Sequence, residues 1–343
     1  MLYRAIRPFL FALDPEQAHW LSLTSLDQLH ALGLSCVLAS RVPSLPVRVM
    51  GLEFPNPVGL AAGLDKSAEH INALGSLGFG FIEIGTITPR PQPGNPKPRM
   101  FRLPQAEAII NRMGFNNVGV KAAVHNIRNS GFRGILGVNI GKNFDTPIER
   151  AVDDYVACLQ AVYPVASFVT ANISSPNTKD LRTLQRGAEL EALLGTLMAE
   201  RDTLAARHGK TVPLVVKIAP DLEPEGIEVI ADRIKAHRVD AVIATNTTSS
   251  REGVSNLAHG QEAGGLSGAP LRTKATGLII RLRRALGDSV PIIGVGGIFS
   301  AEDAREKLDA GANLVQIYTG LLYRGPAVVG DIVRGLARTW KRR

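Results

Sequence analysis

Pro213-Leu-Val-Val-Lys-Ile218 and, after one segment of helical pattern, Ala241-Val-Ile-Ala-Thr-Asn-Thr247 are the stretches whose reading decides the fold. Each is an apolar run of strand length that ends in a small or polar residue. Residues apolar on both faces mark a strand buried in a parallel sheet, and parallel neighbours need a crossover between them. Upstream, the same unit recurs at Val58–Ala61, Phe81–Gly85, Ile135–Ile140 and Phe168–Ile173; downstream, at Ile292–Val295 and Leu314–Ile317. With Leu214–Ile218 and Ala241–Thr245 this makes eight strands alternating with helices, the signature of an α/β protein built as a (β/α)8 TIM barrel. A doubly wound open sheet is the lesser alternative, since no Gly-x-Gly-x-x-Gly follows the first strand.

Chemistry in such a barrel gathers where its strands end. The ends read Ala61-Ala-Gly-Leu-Asp-Lys66, Glu83-Ile-Gly-Thr86, Asn139-Ile-Gly-Lys142, Asn172-Ile-Ser-Ser-Pro-Asn177, Lys217, Thr245-Asn-Thr247, Gly294-Val-Gly-Gly297 and Tyr318-Thr-Gly320. They supply amides, hydroxyls and lysines, with almost no carboxylate or histidine. A two-carboxylate glycosidase is therefore unsupported, and no Gly-x-Ser-x-Gly elbow marks a serine hydrolase. What remains suits a heterocycle with amide edges and a bound anion. Gly296-Gly297, Tyr318-Thr-Gly320 and Gly268, in the loop Gly264–Gly268, form the expected anion site, where backbone N–H groups can approach a phosphate.

Lys217 lies in an otherwise buried segment. It reads either as a Schiff-base lysine or as a fixed cation beside an electron-rich ring. Lys66 is ambiguous by position alone. Ser175 is a candidate proton acceptor, although a serine in a loop closed by Pro176 is more often a turn residue and no histidine stands near in sequence.

The chain's 343 residues carry 39 Lys and Arg against 31 Asp and Glu, a net +8, which favours an anionic ligand or surface. An aromatic content of 5% and the absence of base-stacking motifs argue against nucleic acid. Two cysteines, Cys36 and Cys158, make no disulfide framework, and seven histidines without HxxxH or HExxH spacing suggest no metal. No window reaches the 18 or so apolar residues of a membrane span, and Pro8 and Pro15 interrupt any signal peptide.

Residues 1–45 read apart from the barrel of 46–343. Leu2, Ile6, Phe9, Leu10 and Leu13 line one amphipathic helix. Asp14-Pro15-Glu16-Gln17 opens a second, with Asp as N-cap and Pro in the first position. The hairpin either packs on the barrel or lies on a membrane, where Arg4 and Arg7 would favour anionic lipid. The basic tail Arg338–Arg343 reads as a solvated end that can touch lipid, and Arg281-Leu-Arg-Arg284 as an exposed helix face.

At this point the residues resemble a family. Ala61–Lys66, Ile84-Gly-Thr-Ile-Thr-Pro-Arg-Pro-Gln-Pro-Gly94, Ile110-Asn-Arg-Met-Gly-Phe-Asn-Asn117, Asn172–Thr178, Thr245-Asn-Thr-Thr248 and Gly294–Gly297 are similar to the class 2, membrane-associated, quinone-reducing dihydroorotate dehydrogenases. The similarity runs through the whole barrel and includes the hairpin. It implies one FMN per chain, held by Ala62, Gly63, Lys66, Thr86, Asn139, Asn172, Lys217 and Thr245, with its phosphate at Gly268, Gly297, Tyr318 and Thr319. It implies dihydroorotate bound by Lys66, Asn111, Asn172, Asn177, Asn246 and Thr247 and approached by the backbone of Asn111, Arg112, Met113, Gly114 and Phe115. Ser175 would take the C5 proton while hydride leaves C6 for flavin N5, where class 1 enzymes carry cysteine. Electrons would then pass to a quinone that enters through the hairpin. His19 falls on that route, the plain alternative being a packed bystander. The resemblance places the protein peripherally on the cytoplasmic side of the cell's inner membrane, in pyrimidine biosynthesis, with no partner protein required. The competing readings are a cofactor-free lyase using Lys217 as a Schiff base, and a basic membrane- or nucleic-acid-binding protein without turnover.

Overall fold

The computed structural model describes residues 2–339. Eight strands, β1 (Val58–Leu60), β2 (Phe81–Ile87), β3 (Leu136–Ile140), β4 (Phe168–Asn172), β5 (Leu214–Ile218), β6 (Ala241–Ala244), β7 (Ile292–Val295) and β8 (Leu314–Ile317), close a parallel barrel. Closure comes where β8 pairs with β1, Val315 opposite Val58. These are the eight strands read from the sequence. Their residues are buried on both faces, which explains the continuous apolar runs.

Alternation along each strand sorts the barrel interior into layers. At the N-terminal end, Phe81 and Phe168 open β2 and β4, and their rings occupy the space beside glycines on neighbouring strands. A Cβ at Gly59 would stand 2.2 Å from the Phe81 ring, and one at Gly137 2.2 Å from the Phe168 ring. Phe54 packs edge-on to Phe81 at 5.2 Å, brought there by an antiparallel hairpin of Val47–Val49 with Leu52–Phe54. This apolar plug leaves the polar inward positions, Glu83, Asn139, Lys217 and Gln316, nearer the C-terminal end. Outside, helices such as Ala151–Val162, Gly187–His208, Pro224–Ala236 and Arg272–Leu286 cover the strands with their apolar faces.

The N-terminal segment forms α1 (Leu2–Ala12) and α2 (Pro15–Ala31). Asp14 caps α2 as expected, its Oδ1 accepting from the Glu16 and Gln17 N–H groups at 2.9 and 3.1 Å. Ala18, Leu23 and Leu26 are buried against the barrel, while Phe9, Trp20 and Leu32 are 76%, 66% and 72% exposed. One face of the hairpin thus packs and the other stays bare. No helix among the described residues is long and apolar enough to cross a membrane.

Two expectations need correction. Gly264–Gly268 is not simply a loop: Gly265–Gly268 pairs antiparallel with Ala108–Asn111, which pairs in turn with Met100–Leu103. Nor is Arg281–Arg284 wholly an exposed face. Arg283 is half-buried and donates to the Gly311 carbonyl at 2.7 Å and to Asn313 Oδ1 at 2.9 Å. Of the basic tail, positions 340–343 lie outside the described residues.

Candidate active site

The C-terminal barrel mouth opens into a cavity of about 1000 Å³ of empty space. Strand-end residues line it: Ala62, Gly63 and Lys66 after β1, Thr86 in β2, Asn172, Ser175 and Asn177 at and after β4, and Lys217 in β5. Thr245, Asn246 and Thr247 follow β6, Gly297 follows β7, and Tyr318 and Thr319 follow β8. The three-stranded sheet adds Asn111 and Gly268, and the turn beyond Asn111 adds Met113, Gly114 and Phe115.

Three residues named from the sequence stand elsewhere. Asn139 is fully buried behind the lining. The Arg112 side chain turns away, 2.7 Å from Glu262 and stacked over the Phe101 ring at 4.6 Å, although its backbone neighbours face the cavity. His19 lines a second cavity.

The floor is one polar network around Glu83, which is wholly buried. Glu83 Oε1 accepts from Asn139 Nδ2 at 2.6 Å, and its other oxygen accepts from Gln316 Nε2. A carboxylate can only accept, so both amides are fixed in orientation. Asn139 Oδ1 therefore accepts from the Thr86 hydroxyl at 2.5 Å and from Asn172 Nδ2 at 3.1 Å. Asn172 Oδ1 in turn accepts from the Ser174 hydroxyl at 3.1 Å and Asn246 Nδ2 at 3.3 Å. Gln316 Oε1, in the cavity wall, is a buried acceptor without a partner among the described residues. Burial pushes the Lys217 ammonium below the usual lysine range, and the Glu83 charge opposes that shift.

Lys66 owes its place to Asp65, whose Oδ1 accepts from Glu69 N at 3.0 Å and Oδ2 from His70 N at 2.9 Å, folding the Gly-Leu-Asp-Lys segment into a tight loop. Burial holds Lys66 down to about 8, with Glu16 and Asp65 raising it and Arg99 lowering it. Ser175 is buried, and its Oγ accepts from the Asn177 N–H at 3.2 Å. Asn177 Nδ2 reaches the Asn111 carbonyl at 3.1 Å, closing the loop over the turn that follows the accessory sheet.

The second cavity lies between the hairpin and the barrel, with about 1520 Å³ of empty space and an apolar wall that includes Leu10, Leu26, Leu29, Leu64 and Leu322. Burial drives His19 down to about 3, and the Lys66 charge adds to the shift, so its imidazole is neutral at physiological pH. Among the described residues, Tyr318 alone lines both cavities. A polar cavity and an apolar one thus share a single phenol wall.

The family model for dihydroorotate dehydrogenase matches residues 44–339. The chain belongs to the dihydroorotate dehydrogenase family. It is 61% identical over 340 residues to a dihydroorotate dehydrogenase (quinone) of Ralstonia nicotianae, covering 98% of this chain and 99% of that one. It is 62% identical over 334 residues to the protein of the same name from Nitrosomonas europaea, 97% of each chain being covered. Among solved structures, the dihydroorotate dehydrogenase of Eimeria tenella in complex with ferulenol superposes with a TM-score of 0.87 at 39% identity, over 95% of this chain and 91% of that one. Its ligand-free form gives a TM-score of 0.86.

Membership of the dihydroorotate dehydrogenase family removes the ground for the Schiff-base lyase and for a protein without turnover. Two residues of the site escaped the sequence reading of roles. In the sequence Glu83 stands out only as part of a strand end, and Gln316 as part of an apolar strand. The available signal was period two: Gln316 stands two residues before Tyr318, on the same inward face of β8.

Proposed function

We propose that this chain oxidises dihydroorotate to orotate on a bound FMN and passes the electrons to a membrane quinone. The observation that carries the reading is the pair of cavities, one polar and one apolar, with Tyr318 as their common wall. The donor set fits a flavin. Gln316 Oε1 is an orphaned buried acceptor, Lys217 a buried cation, and Gly297 and Gly268, at φ +69° and +104°, line the cavity with backbone. Thr86, Asn172, Lys217 and Thr245 would hold the ring, with Ala62, Gly63 and Lys66 alongside and Asn139 behind them, orienting Thr86 and Asn172. Gly268, Gly297, Tyr318 and Thr319 would hold the phosphate. When bound, FMN supplies a two-electron acceptor.

The chain's own residues do the rest. Lys66, charged below about pH 8, faces the substrate carboxylate. Asn111, Asn177, Asn246 and Thr247 read the amide edges, each able to donate and accept. Asn172, fixed by Asn139 and Ser174, contacts both substrate and cofactor. Lys217 places positive charge where the oxidised ring gains electron density. Ser175 Oγ takes the proton from substrate C5.

Residues 1–45 form the membrane and quinone element on the catalytic body 46–343. Exposed Phe9, Trp20 and Leu32 enter the bilayer interface, and His19 lines the quinone route. In this reading the chain sits peripherally on the cytoplasmic face of the cell membrane, with one FMN per chain and no nucleic acid or partner protein needed. The test is an anaerobic absorbance spectrum of the purified protein before and after adding dihydroorotate, followed by quinone. The flavin band should bleach and then return. A flavin that stays oxidised removes dihydroorotate as substrate, and a protein that cannot take up FMN removes the reading altogether.

A further inference from the structure

Glu16, on the first turn of α2, belongs to the hairpin, yet its contacts lead into the polar cavity. Its carboxylate receives a fork from Arg99, Nε to Oε1 at 2.9 Å and Nη2 to Oε2 at 3.0 Å. The Arg99 side chain is only 8% exposed, so water screens this pair weakly. Arg99 Nη1 also donates to the carbonyls of Pro93 and Asn95 at 2.7 and 2.9 Å. Asn95 continues the chain: its Nδ2 donates to the Arg112 carbonyl at 2.9 Å and the Asn177 carbonyl at 3.3 Å, and its N–H to the Met113 carbonyl at 3.0 Å. Asn177 and Met113 line the polar cavity. The hairpin is thus joined by consecutive hydrogen bonds to the loop bearing Ser175 and to the turn after Asn111.

A second, independent line runs through charge. The charges acting on Lys66 are Glu16 from α2, Arg99 from the accessory segment and Asp65 from its own loop, with Glu16 the strongest of the three, and Glu16 itself also faces the Lys97 ammonium at 3.5 Å. His19, one turn along α2 from Glu16, stands close enough to sense the Lys66 charge but is itself neutral. A hairpin carboxylate therefore helps keep the cavity's lysine charged.

We infer that Glu16 is a positioning residue for dihydroorotate: through Arg99 and Asn95 it seats Asn177, so the docked hairpin completes the substrate site as well as the quinone route. This rests on reading Lys66 and Asn177 as substrate contacts. A mere staple for the hairpin would affect quinone use and stability, but not the reaction with dihydroorotate when quinone is absent.

The experiment is anaerobic stopped-flow bleaching of the full-length holoprotein by dihydroorotate, without quinone, from about pH 6 to 9. Glu16→Gln keeps the shape and removes the charge. Its dihydroorotate Kd should rise about tenfold near pH 8. The alkaline limb should move to lower pH, with the limiting bleaching rate within about twofold of the unsubstituted protein. Arg99→Lys keeps a cation beside Glu16 but loses the Nη1 contacts to the Pro93 and Asn95 carbonyls, so Kd should rise without displacement of that limb. Flavin content checks that each variant is folded, and if Glu16→Gln does not hold flavin, Arg99→Lys decides. Curves superposing on those of the unsubstituted protein overturn the inference. If the unsubstituted protein itself fails to bleach, the dehydrogenase reading has failed instead.

Discussion

Arg182 and Asp221 form an ion pair, Nη1 to Oδ2 at 3.1 Å, that joins the loop after β4 to the loop after β5. The same guanidinium donates from Nε to the Ser174 carbonyl at 3.1 Å and from Nη2 to the Thr247 carbonyl at 3.0 Å. Asp221 is saturated by the Thr248 hydroxyl, Ser249 and Lys274, which hold its carboxyl at about 2 despite burial. Three barrel loops therefore meet on one side chain, next to the residue that precedes Ser175. Arg182→Ala should slow bleaching by dihydroorotate on the order of 10²-fold, because small misplacements of reacting groups cost that much. Reoxidation by quinone, proposed to occur in the apolar cavity beyond Tyr318, should be unchanged. Rapid-mixing measurement of the two half-reactions checks this.

Ser175→Ala removes the proposed proton acceptor and leaves the floor network of Glu83, Asn139 and Gln316 intact. Flavin should remain bound in full, and its reduction should fall about 10² to 10⁴-fold. Flavin absorbance and single-turnover bleaching measure both. Unchanged bleaching would remove Ser175 from the reaction.

Lys66 sets a pH dependence with a definite sign. Its depressed value of about 8 means that it is charged below that pH and neutral above it, while the substrate carboxylate stays ionised throughout. KM for dihydroorotate should be flat in the acid range and rise above about pH 8, by up to tenfold per pH unit if the charge is essential. Bound anion raises the lysine's proton affinity, so kcat should persist to higher pH than kcat/KM. Lys66→Met should remove the inflection.

Phe9, Trp20 and Leu32 supply the bare face of the hairpin. Each large apolar side chain moved from water to an apolar phase contributes roughly 1.5–3 kcal/mol. Replacing all three with serine should lower partition onto anionic vesicles at least about a hundredfold while leaving bleaching by dihydroorotate intact. Vesicle flotation measures the first and stopped flow the second.

The apolar plug predicts a stability loss away from chemistry. Phe168 is fully buried, with its ring 6.1 Å from that of Phe81. Phe168→Ala should cost about 3–5 kcal/mol in urea unfolding. Gly137→Ala, whose Cβ would fall 2.2 Å from that ring, should also destabilise.

Much of this was legible beforehand because barrel strands are buried on both faces and leave unbroken apolar runs such as Leu214–Ile218. The Asp14 cap was legible because capping is a local matter of a few residues. The accessory sheet was not. Gly265–Gly268 has two glycines in four residues and owes its strand form to pairing with Ala108–Asn111, over 150 positions distant, which no local pattern records. Strand-end polarity points to Lys217 and Asn172, which line the cavity, whereas Ser175 is by position only a candidate proton acceptor and Lys66 is ambiguous until the family resemblance gives each a role. Arg182 and Glu16 stayed hidden for another reason. Each acts by bridging loops, and an arginine or glutamate on a surface element looks the same in sequence whether or not it has long-range partners.

Tyr318 is a party wall, and its tenants need never meet. An apolar inhibitor lodged beside His19 would compete with quinone alone and leave dihydroorotate free to react once with the resting enzyme. Substitutions that evade it would accumulate on α1 and α2, where a changed leucine alters no hydrogen bond of the floor. Apart from Tyr318 and the Glu16–Arg99 link, the chemistry and its vulnerability therefore rest on different side chains, and each set can vary at its own pace.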